Sequence, residues 1–189
     1  MENTALKRPF LLRGLFHVSG CLIPVIYLLT DKGTALLVTA SAVVLAAFLE
    51  TLRIKGRIGM AFVGPLLKEK EKKGPSGCLF YLVSCLITIL LFDERIASAS
   101  IFVLAISDPL SAIIGSKWGR RSLYGKSAEG TGAFFLSSLL VLACFSFKGP
   151  GLILAACAAT AAELFSSRFI DDNLTIPIIT ALSLTGLAR

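Results

Sequence analysis

The sequence predicts an all-α, polytopic membrane protein of about seven transmembrane helices, with its N-terminus on the cytoplasmic side. Three observations predict it. Of 189 residues, 55% are hydrophobic and only 16% are charged, whereas a soluble domain carries roughly a quarter charged residues. The apolar residues fall in runs too long for ordinary core elements. The basic residues lie between those runs, dense on alternate connections and sparse on the others. A single transmembrane domain over residues 1–189 accommodates all three.

The first span, Leu11–Leu29, is preceded by Lys7 and Arg8 and holds Arg13 and His17. No A-x-A-like cleavage site follows it, so it reads as a retained span rather than a signal peptide. After the brief connection Thr30–Lys32 comes the second span, Gly33–Leu49. The long connection Glu50–Ser76 contains Ile58–Leu67, apolar but too short to cross and interrupted by Gly59, Gly64 and Pro65. Residues 54–75 therefore suit an interfacial segment, and the Lys/Glu run at 68–73 suits a solvated helix end. The third and fourth spans, Gly77–Phe92 and Ile96–Ser116, are joined by Asp93–Arg95. The connection Lys117–Glu129 leads to the fifth, Gly130–Phe147, and Lys148 alone separates it from the sixth, Gly149–Phe165. The seventh, Leu174–Leu187, is short enough to be tilted, interfacial or frayed, which leaves six as the fallback count. Most runs reach the ~17 residues that a crossing needs, and in hydrocarbon each backbone amide must be satisfied within its own segment.

Charge sets the orientation. Of 19 Lys and Arg residues, only Lys32, Arg95, Lys148 and Arg189 fall on the outer side when the N-terminus is inside. The other 15 are inside, as the positive-inside rule requires. The net charge of +7 is thereby spent on topology and on headgroups or phosphates, and a nucleic-acid partner is not expected. Cys21, Cys78, Cys85, Cys144 and Cys157 all lie in apolar runs without a C-x-x-C pair. They read as small buried hydrophobes, with no zinc site and no disulfide framework. No internal repeat is convincing.

Ionisable groups within or bordering spans cost roughly 2.5–3.5 kcal/mol near a helix centre and normally face a cavity or a partner. Arg13, His17, Glu50, Asp108, Glu163, Asp171 and Asp172 are such groups, and all seven map to the cytoplasmic half, consistent with one inward-facing polar site. Asp108 lies well within the fourth span, followed by Pro109, which frees a carbonyl. Ser111, Ala112, Gly115 and Gly119 continue on about the same face, where small residues admit a neighbouring helix or a ligand. Gly119 to Ser127 nearly spells a Walker A loop, but five residues separate the glycines where four are required, and no β-strand precedes them. A P-loop is rejected. What remains is a loop with the cations Lys117, Arg120, Arg121 and Lys126, with hydroxyls and flexible glycines, running into Ser127, Glu129, Gly130 and Thr131. It suits a polyphosphate. Glu163 is followed by Arg168 and by Asp171-Asp172-Asn173. That trio is an all-oxygen set of the kind Mg²⁺ accepts together with waters and phosphates, although Asn173 alone is also a plausible helix cap. His17 lies four residues after Arg13 on the same helix face, and Glu50 and Arg53, at i and i+3, either pair with each other or serve the site.

In combination these motifs resemble the CTP-dependent lipid kinases: dolichol kinase, phytol and farnesol kinases, and CTP-dependent diacylglycerol kinase, themselves related to the phosphatidate cytidylyltransferases. The matching residues are Arg13…His17, Glu50…Arg53, Glu71 with Ser76-Gly77, Asp108-Pro109…Ala112…Gly115…Gly119, Lys126-Ser127-x-Glu129-Gly130-Thr131, and Glu163…Asp171-Asp172-Asn173. They run from about residue 13 to 178. The chain departs from the pattern at Gly14, where the family often has lysine, and Glu69 competes with Glu71 for the acidic position. The resemblance implies transfer of the γ-phosphoryl group of CTP to the hydroxyl of a lipid alcohol. Lys126 and Arg13 would hold phosphates, with Ser127, Glu129, Gly130, Thr131, Gly115 and Gly119 around the nucleotide. Asp108, Asp171, Asp172 and Asn173 would bind Mg²⁺ or a similar divalent cation. Asp108 or His17 would take the hydroxyl's proton, and Glu50, Arg53, Glu71 and Glu163 would support the site. Two other functions meet similar needs: a cytidylyltransferase making a CDP-lipid, and a small ion-coupled transporter. The transporter predicts polar groups near the midplane with access from both faces, and here the outer half is nearly bare.

Overall fold

The computed structural model describes residues 14, 17–57, 71, 74–166 and 171–187. Apart from one tiny hairpin, every regular element among them is a helix. In chain order the elements are α1 (Leu22–Leu29), α2 (Lys32–Ile54), α3 (Gly77–Leu91), α4 (Glu94–Phe102), a π-helical turn (Val103–Ser107) and α5 (Asp108–Trp118). Strands β1 (Ser122–Leu123) and β2 (Lys126–Ser127) follow, then α6 (Ala128–Cys144), α7 (Gly149–Phe165) and α8 (Asp172–Leu187). The all-α expectation holds, and the antiparallel pairing of Ser122 with Ser127 and Leu123 with Lys126 adds to it.

Local chemistry explains the boundaries. Asp31 caps α2, its carboxylate accepting from the amides of Gly33 at 2.8 Å and Thr34 at 3.1 Å and from the Thr34 hydroxyl at 2.6 Å. These bonds, the Thr34 hydroxyl first, hold the Asp31 carboxyl below its ordinary value. Gly56, at φ +70°, follows α2 where a left-handed residue stops a helix. Asp93 caps α4 through the Ile96 amide at 3.0 Å, and Pro150 occupies the first turn of α7, where a missing N–H costs nothing. The fourth apolar run is continuous from Glu94 to Trp118 but widens into a π turn just before Asp108-Pro109. Pro109 has no N–H for the carbonyl four residues back, and its ring crowds that turn. A π turn absorbs the misfit.

Long helix α4–α5 and helix α8 form the middle of the bundle. Ala97, Ala99, Ile101, Val103, Leu104, Ile176 and Ala181 have no exposed surface. Helices α1, α3 and α8 pack on α4, α7 lies against α8 and α6, and α2 rests mainly on α3. The seventh run is α8, packed against α3, α4 and α7. Core hydroxyls turn back on their own helices, as from Thr88 to Ser84 O, Ser100 to Ile96 O and Thr180 to Ile176 O, all at 2.6–2.8 Å. Such bonds satisfy a hydroxyl without any water.

Two helices, Lys32–Ile54 and Glu94–Trp118, are long and apolar enough to cross a membrane. Among the described residues, His17–Leu29, Gly77–Leu91, Ala128–Cys144 and Gly149–Phe165 are shorter apolar helices of 10–17 residues. At ~1.5 Å per residue, 17 residues reach about 25 Å against a hydrocarbon core of ~30 Å. The bundle is wrapped in apolar side chains, with Leu29, Leu37, Val44, Leu140 and Phe165 each 67–78% exposed. Apolar exposure of this extent is consistent with a membrane protein. It also overturns one expectation for the cysteines. All are free, but only Cys85 is buried, while Cys144 and Cys157 are exposed. Segment 58–70, most of the expected interfacial stretch, lies outside the described residues.

Candidate active site

Helices of alternating direction with short connections return to the same end of the bundle at every second connection. His17, the end of α2 (Glu50, Arg53), the start of α3 (Gly77), the end of α5, the start of α6 (Lys126–Thr131), the end of α7 (Glu163) and the start of α8 (Asp171–Asn173) share one end. The opposite end is tied off by its few cations. Lys32 Nζ donates to Phe92 O at 3.1 Å, and Arg95 Nε to Phe145 O at 2.8 Å while its guanidinium lies 4.3 Å above the Phe147 ring. Each cation satisfies a helix-terminal carbonyl.

At the polar end, Lys126 Nζ sits 2.6 Å from Glu163 Oε1, 2.6 Å from the Glu163 carbonyl and 3.8 Å from Asp172 Oδ2. Glu163 is almost wholly buried, with only 3% of its side chain exposed. Asp108 lies close enough for its charge, with that of Asp172, to repel the Glu163 carboxylate. Asp108 Oδ2 in turn faces His17 Nε2 at 3.8 Å. Five residues from five segments therefore gather at this end in two contact groups, Lys126 with Glu163 and Asp172, and His17 with Asp108. Ionised, three carboxylates and one ammonium leave two negative charges, and a polyphosphate approaching alone would be repelled. A divalent cation fits that balance. The buried oxygens Glu163 Oε2 and Asn173 Oδ1, which have no hydrogen-bond partner, fit it too. Among the described residues no three His, Cys, Asp or Glu side chains form a ready-made cage. Mg²⁺ is commonly bound by one or two carboxylates plus phosphates and water, so none is needed.

The loop before α6 is built, not slack. Tyr124 and Gly125 have φ of +50° and +87°, as in the two-residue turn that matches the twist of a hairpin. The hairpin presents Lys126 to Glu163 and places Ser127 at the cap of α6, where its hydroxyl accepts from the Gly130 amide at 3.0 Å. Glu129 accepts from the amides of Arg120 at 3.0 Å and Arg121 at 3.4 Å. These bonds, that of Arg120 first, hold its carboxyl below the ordinary range. Gly115 and Gly130 let α5 and α6 touch at the backbone. A Cβ at Gly115 would lie 2.6 Å from Ser127 Oγ, and one at Gly130 2.8 Å from Ser111 O. Gly119 lies under Ser127 as well. The sequence reading took Gly115 and Gly119 as small residues that admit a neighbouring helix or a ligand, and close packing is what they serve; Gly130, at the end of the loop whose glycines read as flexible, is closely packed too. The Thr131 hydroxyl is buried without a partner.

A second cluster adjoins the first. Arg53 Nε and Nη2 donate to Glu50 Oε2 and Oε1 at 2.9 and 2.8 Å, and Nη2 also to Gly74 O at 2.6 Å. Glu50 Oε1 further accepts from the Ser76 amide at 2.6 Å. Of the two readings of Glu50 and Arg53, the geometry gives pairing, and the pair clamps the entry to α3. Asp171 caps α8: its Oδ1 accepts from the Asn173 amide at 3.1 Å and from Asn173 Nδ2 at 2.7 Å. The cap is therefore Asp171 and not Asn173. Asn173 Nδ2 lies where a Cβ on Gly77 would be 2.6 Å away, with Glu71 Oε1 3.3 Å from the same point. Glu71 is buried. Arg13, Glu69 and Arg168 lie outside the described residues, and Gly14 borders Pro109, from which a Cβ would be 3.8 Å away.

One residue of the site region went unread in the sequence. Tyr81, in α3, is 5% exposed, its ring meets His17 edge-on at 6.1 Å, and its hydroxyl has no hydrogen-bond partner. A lone phenol one turn after Gly77 in an apolar run was the available signal.

Comparison with known proteins follows this geometry. No family model and no solved structure matches the chain. An uncharacterized protein of Rickettsia prowazekii is 29% identical over 187 residues, 92% of each chain. CTP-dependent diacylglycerol kinase 1 of Schizosaccharomyces pombe is 30% identical over 141 residues, 63% of each chain. The phytol kinase of Synechocystis is 35% identical over 136 residues, 62% of this chain and 58% of its own. The match thus spans about three fifths of each of these two kinases.

Proposed function

From this kinship with the CTP-dependent lipid kinases, we propose that the chain is an integral membrane phosphotransferase carrying the γ-phosphoryl group of CTP to the hydroxyl of a lipid alcohol. About seven helices would cross the bilayer, the short ones by local thinning or burial at the bundle centre, with the N-terminus and the polar end in the cytoplasm. The observation that supports this most is the meeting of Lys126, Glu163, Asp172, Asp108 and His17 at one end of the bundle. Phosphoryl transfer asks chiefly for positioning and for charge stabilisation, and that is what this cluster offers.

Each residue has a role in this reading. Two N–H donors of Lys126 are taken by Glu163, which fixes the ammonium and leaves its third for a phosphate oxygen. Asp108 orients His17, and one of the two takes the lipid hydroxyl's proton as the oxygen attacks the γ-phosphorus. The bond from that phosphorus to the bridging oxygen breaks, and CDP leaves. Asp172, Asn173 Oδ1 and Glu163 Oε2 would hold Mg²⁺, which when bound offsets phosphate charge. Asp171 and the Glu50–Arg53 pair would set the positions of Asn173 and of the α3 entry. The glycines at 115, 119 and 130 would keep α5, the hairpin and α6 close under the nucleotide.

The test is direct. Purified protein with γ-labelled CTP or ATP, Mg²⁺ and a panel of prenols and diacylglycerols should place label in a lipid, CTP serving better than ATP. Label in no lipid would count against the kinase reading.

A further inference from the structure

A cavity of about 220 Å³ lies between α1, α2 and α3 beside the cluster. Its walls are mostly apolar: Leu22 and Ile23 of α1, Ala42 of α2, and Cys78 and Leu82 of α3. Leu22 is 63% exposed, so the cavity reaches the side of the bundle, where hydrocarbon would lie. Its polar lining is His17, Ser19 and Tyr81. His17 Nδ1 and the Tyr81 hydroxyl are both buried and lack hydrogen-bond partners, the hydroxyl having only the weak thiol of Cys85 nearby. Gly20 makes room for that phenol, since a Cβ there would be 2.5 Å from both its hydroxyl and its ring.

Two buried, unpartnered polar atoms at the closed end of an apolar slot are costly unless a ligand completes them. An alcohol needs one acceptor and one donor, and the imidazole nitrogen and the phenol can supply them. The other face of the same imidazole points at Asp108, so a hydroxyl held here would border the phosphoryl-transfer centre. Sites that enclose a whole drug-sized ligand run to ~300–1,000 Å³. This slot holds only the head of a longer molecule and lets its tail leave sideways. A diacylglycerol would bring two ester-linked chains beside its hydroxyl, and a slot of about 220 Å³ is filled by the head of one chain.

Resting on the kinase reading, we propose that this slot is the acceptor site. It takes the head of a single-chain, long-chain primary alcohol, with Tyr81 as the residue that positions the hydroxyl and Ala42 as the residue that keeps the slot open.

Three variants and one probe test it. Tyr81→Phe removes the phenol, Ala42→Phe fills the slot from a mostly exposed helix, and Val44→Phe, at a site 70% exposed, serves as control. Losing a hydrogen bond or the space beside it should raise the KM for a single-chain prenol about tenfold in the first two, leaving the KM for CTP within about twofold. The control should match the parent. An unchanged prenol KM in both variants, an equal rise for CTP, or a parent enzyme that prefers diacylglycerol would overturn the proposal. Binding is read separately with a prenol carrying a diazirine near its hydroxyl. Adducts should map to residues 20–23 and 77–82 and disappear in Ala42→Phe. Adducts elsewhere would sink the slot even if phosphorylation occurs. Adducts here without phosphorylation of any lipid would leave the slot standing and bring down the kinase.

Discussion

At the scale of single residues, Lys126 and Glu163 hold the site together and also burden the fold. Removing the ammonium leaves a nearly buried carboxylate without its partner, a change that costs about 3–5 kcal/mol in comparable pairs. It also removes a preorganised charge from the transferring phosphate, a loss worth roughly 10²–10³ in kcat. Lys126→Met should therefore lower both thermal stability in detergent and lipid phosphorylation. Adding Glu163→Gln should restore most of the stability and none of the activity, as melting curves beside turnover would show. A double variant that regains activity would mean that Lys126 acts only as a structural counter-ion. Chelation of divalent cations should abolish turnover and, by removing a ligand of the folded state, lower the melting temperature slightly. The sequence already singled out Lys126, Glu163 and Asp172, because a charge bordering an apolar run stands out. Their partnership did not show: 37 residues separate Lys126 from Glu163, and no local rule joins them. Asp171 and Asp172 read alike as neighbouring carboxylates, and only the fold turns one into the cap of α8 and the other toward Lys126.

At the scale of elements, the junction of α5, the hairpin and α6 carries the most precise packing. Ser127→Ala removes the α6 cap and should cost about 1 kcal/mol. Gly115→Ala pushes a methyl toward the Ser127 hydroxyl and should cost ~1–3 kcal/mol. Because the two changes meet at one oxygen, the double variant should lose less than the sum, and additive losses in a double-mutant cycle would refute the contact. The hairpin should also respond to acid. The Glu129 carboxyl is held below its usual value in the folded chain, so its contribution is present above the unfolded value, roughly 4.3, and is lost as pH falls through the folded one. Exchange protection of the Arg120 and Arg121 amides should be flat at and above neutrality and fall under acid conditions. Glu129→Gln should flatten the profile, and an unaltered profile would contradict the assignment. Helices were legible because hydrocarbon-length apolar runs leave the backbone few other choices. The hairpin was not, since two-residue strands carry no alternation to read, and the π turn was hidden inside an unbroken apolar run.

At the scale of the whole molecule, alternating helix direction brings Glu50, Asp108, Glu163, Asp171 and Asp172 to one end, while Lys32 and Arg95 satisfy helix-terminal carbonyls at the other. The charge pattern on alternate connections let the sequence reading anticipate this grouping. The slot beside His17 could not be anticipated, because it is a gap among three helices and not a property of any one. In cells, with Cys144 and Cys157 changed to Ser, an impermeant thiol reagent should label Lys148→Cys from outside and Tyr124→Cys only after permeabilisation. The reverse pattern would invert the proposed orientation. The central claim is that the polar end moves a γ-phosphoryl group and not a nucleotidyl group. CTP labelled differently on its α- and γ-phosphates, given with a lipid acceptor, measures this in one reaction. The account predicts the γ-label in the lipid and the α-label in CDP, in equal amounts, and neither transfer in Lys126→Met. An α-label in the lipid with the γ-label in pyrophosphate would contradict it.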